Sequence, residues 1–557
     1  RKNLGILTPL ERSLWVWANV SNLDKFLTDV YAYFIGNGLQ CIIISKVIDW
    51  LTLCFIIFLT LFMSNCIDFG LLLSQNNHVT NYSEVKIPQC YSKIPLKQKF
   101  FLYVVEVLLV IKIKSFILED YKKLRDIQNF YNHLLGIKDE ELQTISWSLI
   151  VQKIMILRDQ NTNAMVSDNY HNVISNDLKS KKRLNAHDIA NRIMRKENYV
   201  IALFNKNILN LSLPFFKSSN NELFLTKTLE WNLNLCIFDF VFQQENGQLN
   251  PKFLKESNRL KLSEELRKRF IIAGILNIIL APFLVSYFIL YYFLTFFYEF
   301  RTNPNLIGNR EYTPLAMWKL REFNELYHIF KKRLNLSNEA ATKYINQFPK
   351  KKIDLVLKFL AFLAESLLSI LVVLTILDPE NFLNFEIFYH KTVLFYISSL
   401  GAVYTICKNS IQDETLVFDP EASLRYVAQF THYLPGEWEG KLHSEEVKNE
   451  FLKFYNLKLI IILKELMSLI LLPFILCISL PKSSNRIIDF FREFSVHVDG
   501  LGYVCTFAMF NFDENKNIKN TKGNGVVVHG ADKLRDEYYS SNDDKMIKSY
   551  MYFLESY

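Results

Sequence analysis

Residues 47–67 read VIDWLTLCFIIFLTLFMSNCI, a run whose only charged side chain is Asp49. A helix needs about 20 apolar residues to cross the hydrocarbon core of a bilayer, so this stretch reads as a transmembrane helix. The remainder of the chain repeats the segregation: of 557 residues 50% are hydrophobic and 22% charged, and the two populations occupy alternating blocks. The pattern is that of bilayer segments joined by folded aqueous regions, and it describes an all-α integral membrane protein with large helical cytosolic regions.

Five further apolar runs follow. Phe100–Leu118 is long enough to span but holds Glu106, Lys112 and Lys114. Each costs on the order of 2.5–3.5 kcal/mol at mid-bilayer unless paired or wet, and a lysine can snorkel where Glu106 cannot. Leu355–Leu377 and Thr392–Cys407 flank an acidic stretch with Asp378, Glu380 and Glu386 and no Lys or Arg before Lys391, which reads as lumenal. Ile271–Phe300 and Leu457–Leu480 each contain a proline, Pro282 and Pro473, and the second also carries Lys464 and Glu465.

The positive-inside rule arbitrates between span and re-entrant hairpin for the last two. A full span at Ile271–Phe300 would send Arg310, Lys319, Arg321, Lys331, Lys332, Arg333 and Lys350 to Lys352 into the lumen, and the acidic loop into the cytosol. Re-entry avoids both, with Pro282 and Pro473 near the bends and both hairpins bordering a polar cavity. The expected organisation has transmembrane helices at 47–67, 99–118, 355–377 and 391–408 and re-entrant segments at 271–300 and 457–480. Lumenal loops occupy 68–98 and 378–390; residues 1–46, 119–270, 301–354, 409–456 and 481–557 are cytosolic.

The lumenal stretch contains the sequon Asn81-Tyr82-Ser83 and is bracketed by Cys66 and Cys90, candidates for glycosylation and a disulfide. At the start of the chain, Thr8, Pro9 and Glu11 form a capping box with proline at the first helical position. The aromatics that follow, Trp15, Trp17, Tyr31, Tyr33 and Phe34, are expected at headgroup level. Residues Asp513–Asp544 are rich in Asn, Lys and Asp and read as disordered. The chain opens on Arg1 without a signal-peptide pattern, which points to a segment trimmed of its tails.

Chemistry-bearing motifs are scarce. There is no Walker loop, HExxH or GxSxG, and the cysteines lack metal-site spacing. His432 with Glu437, in a Leu-Pro-Gly turn, is the nearest approach to an acyltransferase pair and reads as structural. The formal charge of +8 fits a solvated surface. No cofactor, metal or nucleic acid is implied. What remains is a set of polar residues in or beside apolar runs: Glu106, Asn277, Glu299, Arg301, Glu365, Thr405, Lys408, Lys464 and Glu465. They either pair inside the bundle or line a groove that replaces the water of a lipid headgroup, which hydrocarbon cannot do.

TPLERSLWVWANVSNLDKFLTDVYAYFIGNG before the first span closely resembles the autophagy-related protein 9 family. So do LTKTLEWNLNLCIFDFVF from Leu225, KLREFNELYHIFKKRLN from Lys319, VFDPEASLRYVAQFTHYLP from Val417, ILKELMSLILLPFIL from Ile462 and IIDFFREF from Ile487, in the family's order. The resemblance implies a domain-swapped homotrimer with four transmembrane helices and two re-entrant segments per protomer. It implies ATP-independent scrambling of phospholipids on Golgi-derived vesicles and the growing autophagosomal membrane, with cycling through endosomes and endoplasmic reticulum. A bridge-like lipid-transfer protein and autophagy initiation scaffolds are the implied partners. By position Arg301 opens a charged cluster beside the family's cavity and Thr405 resembles a pore-side threonine, although Arg301-Thr302-Asn303 is less charged than in animal members. A channel or secondary transporter, and a non-catalytic vesicle organiser, are the competing readings.

Overall fold

The computed structural model describes residues 8–20, 22–68, 86–88, 90, 94–164, 184–213, 224–243, 247–302, 309–377, 386–388, 391–411, 417–510 and 545–557. Asn81, most of the two loops read as lumenal, and the tail 511–544 lie outside them, as do the side chains of Arg301 and Thr302.

Six apolar helices organise the molecule: α1 (Leu39–Asn65), α2 (Leu96–Ser115), α3 (Arg259–Thr302), α4 (Lys351–Leu377), α5 (Val393–Ser410) and α6 (Lys458–Phe474). They carry large exposed side chains along most of their length, among them Leu51, Phe55, Ile111, Ile279, Phe293, Phe362 and Ile376. Lipid solvates such a surface where water does not. By length and apolarity Leu39–Asn65, Glu256–Glu299, Lys351–Leu377 and Lys458–Glu493 could each cross a membrane. α2 and α5, counted as spans from the sequence, are shorter or more charged.

The apolar helices pair in sequence. α1 and α2 form a hairpin whose far end is tied by the disulfide Cys66–Cys90 and by the Asn65 side chain donating to Gln98 at 3.0 Å; at the near end Trp50 meets Phe116 edge to face. α4 and α5 pack along each other through small or slim residues, Ala361, Ala364 and Cys407, which let helix backbones approach. Two short strands, Glu386–Phe388 and Lys391–Thr392, join them. α3 packs along α6 and its continuation, a π turn at Ile475–Ser479, a 3-10 turn and the helix Ser484–Glu493.

Neither proline makes the bend expected of it. Pro282 lies inside α3, which stays helical through all 44 residues; the Ser286 hydroxyl donates to the Pro282 carbonyl at 2.9 Å. Proline removes one backbone donor, a loss that packing in a long helix tolerates. Pro473 sits one residue before the end of α6, where the pitch changes to the π turn. π turns commonly absorb such a defect.

The other helices form one body with a single hydrophobic core. The capping box is present: the Thr8 backbone N–H donates to Glu11 at 2.9 Å and the Glu11 N–H to the Thr8 hydroxyl at 3.4 Å. The N-terminal aromatics, read as headgroup anchors, are instead part of this core. Tyr33 and Phe34 are buried, Tyr33 stacks on Tyr131 at 5.2 Å, Trp17 packs on Phe130, and Tyr31 meets Trp147; Trp15 alone of the five is well exposed. Periodicity shows that such a face must be covered; it cannot distinguish covering protein from covering lipid.

Residues flanking every apolar helix share the core. Tyr33 and Phe130 flank the α1–α2 hairpin, Phe253 and Tyr312 flank α3, Phe348 and Leu424 flank α4–α5, and Tyr455 and Phe510 flank α6 with its continuation.

Candidate functional site

The polar residues of the apolar helices divide into two groups. One is locked between helices. Glu465 of α6 is 5% exposed, yet its carboxylate has no ion-pair partner among the described residues. It accepts hydrogen bonds from the backbone N–H groups of Lys227 and Thr228, at 3.1 and 2.8 Å, and from the Thr228 hydroxyl at 2.7 Å. These are the otherwise unpaired donors of the helix Lys227–Leu233, whose cap Thr226 accepts from Leu229. A carboxylate at a helix N-terminus gains from both the donors and the dipole. Four residues along, Asn232 accepts from the side chain of Asn277 on α3 at 2.7 Å and donates to the Thr228 carbonyl at 2.9 Å. Asn277–Asn232–Thr228–Glu465 is thus a continuous polar tie joining α3 to α6 through a short helix.

Two ion pairs secure the ends of the same antiparallel arrangement. Lys458 at the start of α6 meets Glu299 at 2.5 Å, and Arg259 at the start of α3 meets Asp489 through two contacts of 2.6 Å. Between them Gly274 allows very close approach: a Cβ there would fall 2.4 Å from the Cys477 sulfur and 3.4 Å from the Pro473 carbonyl oxygen.

The second group faces outward. Glu106 on α2, Glu365 on α4, and Thr405 and Lys408 on α5 are exposed. The Thr405 hydroxyl donates to the Gly401 carbonyl within its own helix, and the Lys408 ammonium lies 3.2 Å from the Tyr404 hydroxyl. Glu106 and Glu365 have no ion-pair partner among the described residues. The chain therefore does not gather the eight of these residues whose side chains are described into one groove: Asn277, Glu299 and Glu465 are bound between helices, and the exposed four are divided between two hairpins.

Lys464 belongs to a different feature, a cavity of about 570 Å³ where α6 enters the helical body. Lys319, Lys453 and Glu437 also line it, beside Tyr433 and Trp438. Sequence reasoning did not single these out as a set, because they come from three distant segments and share no motif. His432, the other half of the rejected acyltransferase pair, is turned away from catalysis: it is buried at the left-handed C-cap of Pro420–Thr431, with Nδ1 3.4 Å from Glu322. Burial opposes ionisation of Glu322, but the His432 hydrogen bond and the charges of Lys545, His432 and Arg333 outweigh it and hold the carboxyl at about 2. Among the described residues no cluster suited to a metal ion occurs.

Comparison with known proteins agrees with this architecture. The family model described as autophagy protein ATG9 matches residues 15–511. Over its full length the chain is 61% identical to autophagy-related protein 9 of Pichia angusta and 55% identical to that of Komagataella pastoris, spanning 61% and 64% of those proteins. Identity to the Saccharomyces cerevisiae S288c protein is 49%, with 56% of that protein spanned. The chain thus covers roughly three-fifths of the relatives' lengths. The cryo-EM structure of Schizosaccharomyces pombe Atg9 superposes with a TM-score of 0.65 at 37% identity, over 89% of this chain and all of that one. A helical body with apolar hairpins, matched along nearly its whole length, places this chain in the ATG9 family of autophagy proteins.

Proposed function

We propose that this protein is a passive phospholipid scramblase, working as a homotrimer that redistributes lipid between leaflets while the autophagosomal membrane expands. The observation that carries this reading is the exposure of Glu106, Glu365, Thr405 and Lys408 on helices otherwise clad in apolar side chains. A carboxylate facing hydrocarbon is costly, and Glu106 and Glu365 have no ion-pair partner among the described residues. Assembly of copies through the α4–α5 hairpin, which exposes most of its surface, would turn them toward a shared wet path for headgroups. Arg301 belongs to the same path by sequence position.

The proposed topology has α1–α2 and α4–α5 crossing the bilayer as hairpins, while the α3–α6 pair enters it from the side of the helical body without crossing. The shared core supports it. Tyr33 and Phe130, Phe253 and Tyr312, Phe348 and Leu424, and Tyr455 and Phe510 belong to one hydrophobic cluster, which supports a return to the same side after each apolar segment. The Cys66–Cys90 disulfide favours an oxidising compartment at the far end of α1–α2.

Without an ATP-binding loop, lipid would move down its own gradient, supplied by a lipid-transfer partner and organised by initiation scaffolds. Golgi-derived vesicles and the phagophore are the proposed locations. The test is leaflet exchange by purified protein in liposomes carrying a fluorescent phospholipid: signal lost beyond the outer-leaflet half upon adding an impermeant quencher supports scrambling, whereas loss of half alone favours a vesicle organiser. Solute-selective conductance without lipid exchange would favour a channel.

A further inference from the structure

Three lysines line the cavity at the base of α6, Lys319, Lys453 and Lys464, and none has an ion-pair partner among the described residues. Two of the three carboxylates that share the lining are already committed. Glu465 caps the helix Lys227–Leu233, and Glu450 accepts from the Trp438 indole at 2.5 Å. Lys319 is largely buried, and that desolvation depresses its pKa; a buried cation that lacks an ion-pair partner among the described residues is what a bound anion relieves. The third carboxylate, Glu437, is exposed and also has no ion-pair partner among the described residues. Beside it stand the rings of Tyr433 and Trp438, edge to face at 5.6 Å. Burial and then the charges of Glu450 and Glu437 push the Tyr433 hydroxyl up to about 12, which places that ring among the carboxylates.

We propose that this cavity binds the headgroup of a zwitterionic phospholipid, with the phosphate on Lys319, Lys453 and Lys464 and the ammonium against Glu437 and the Tyr433–Trp438 pair. Lysines serve phosphate as point charges, and aromatic faces with a carboxylate are the usual receptor for an alkylammonium. The volume, about 570 Å³, lies within the range of small-molecule sites. The location suits a lipid: Ile461 and Lys464 come from the first turns of a membrane helix, so acyl chains can remain in the bilayer while the headgroup reaches inward. The proposal deepens the reading of phospholipid as the transported species and rests on it for its biological meaning. Its test reads equilibrium binding, so site and scrambling can fail separately.

The full chain, purified in a detergent free of phosphate, is titrated with dihexanoylphosphatidylcholine, dihexanoylphosphatidylglycerol, glycerophosphocholine and inorganic phosphate, following tryptophan fluorescence and calorimetry. The expected result is saturable binding of the choline compounds, weakened at least tenfold in Lys319→Gln/Lys453→Gln/Lys464→Gln. Glu437→Gln should weaken phosphatidylcholine at least threefold and leave phosphatidylglycerol unchanged. Lys464→Gln alone, at an exposed position, keeps the test decisive if the triple variant misfolds, with at least a threefold loss expected. Inorganic phosphate binding as tightly as glycerophosphocholine would reduce the cavity to a simple anion site and overturn the proposal. So would phosphatidylcholine binding unaffected by Lys464→Gln.

Discussion

Glu465 Oε1 lies 2.8 Å from the backbone nitrogen of Thr228 and 2.7 Å from its hydroxyl, so a carboxyl group in an apolar helix is held by a helix N-terminus, with no ion-pair partner among the described residues. Replacing Glu465 by alanine leaves the donors of Lys227 and Thr228 without their acceptor and should cost about 2–4 kcal/mol. Glu465→Gln, which keeps one acceptor oxygen, should cost less. Hydrogen exchange of the 227–238 amides is the readout. Protection unchanged in Glu465→Ala would show that the contact does not hold the helix in place.

The close passage at Gly274 gives a paired test. Alanine in a helix is ordinarily favoured over glycine by about 1 kcal/mol, but here its Cβ would fall 2.4 Å from the Cys477 sulfur. Gly274→Ala should therefore lower the unfolding temperature in detergent, and Cys477→Ala in the same chain should restore it, with a coupling energy of about 0.5–3 kcal/mol. Additive effects would mean that α3 and the π turn are not in contact.

Burial of His328, followed by the charge of Lys332, lowers its pKa from 6.5 to about 4, and Nδ1 is 2.9 Å from the Tyr31 hydroxyl. The unfolded chain binds the proton more tightly, so stability is full above about pH 6.5 and declines as pH falls toward 4. Discounted for partial exposure, the loss should be about 1–2 kcal/mol. His328→Gln should flatten this part of the stability profile between pH 6.5 and 4; an unaltered profile would assign the acid sensitivity elsewhere.

Cysteine labelling tests the orientation of α1. Cys41 is exposed near its start, and Cys66 is bonded to Cys90 just past its end. In sealed vesicles with the remaining cysteines replaced by alanine, an impermeant maleimide should reach Cys41 from one face. Cys66 and Cys90 should react from the opposite face alone, and after reduction. Labelling of all three from one face would place both ends of α1 on the same side.

Local signals were readable from the sequence and distant ones were not. The capping box at Thr8 and Glu11 could be recognised because its partners are three residues apart and chemically specific. The locations of the apolar helices were equally plain, since hydropathy is a property of a window. Glu465 was legible as a polar group in a membrane segment, but its partner is a backbone N-terminus more than two hundred residues earlier, and no side-chain charge advertises it. Tyr33 and Phe34 misled for a related reason: an apolar helix face announces that it will be covered without naming the cover. Pro282 was placed near a bend because the charge pattern called for re-entry, whereas α3 stays helical through all 44 residues. Lys319, Lys453 and Glu437 come together through tertiary packing alone.

Leaflet exchange in proteoliposomes remains the most direct test of the central claim. The purified chain and a variant with Thr405→Trp and Lys408→Leu are compared in vesicles containing a fluorescent phospholipid and challenged with an impermeant quencher. The account predicts loss of well over half the signal with the parent chain, without ATP, and a slower loss with the variant at equal reconstitution. A plateau at the outer-leaflet half for the parent chain, in vesicles shown to contain folded protein, would contradict it.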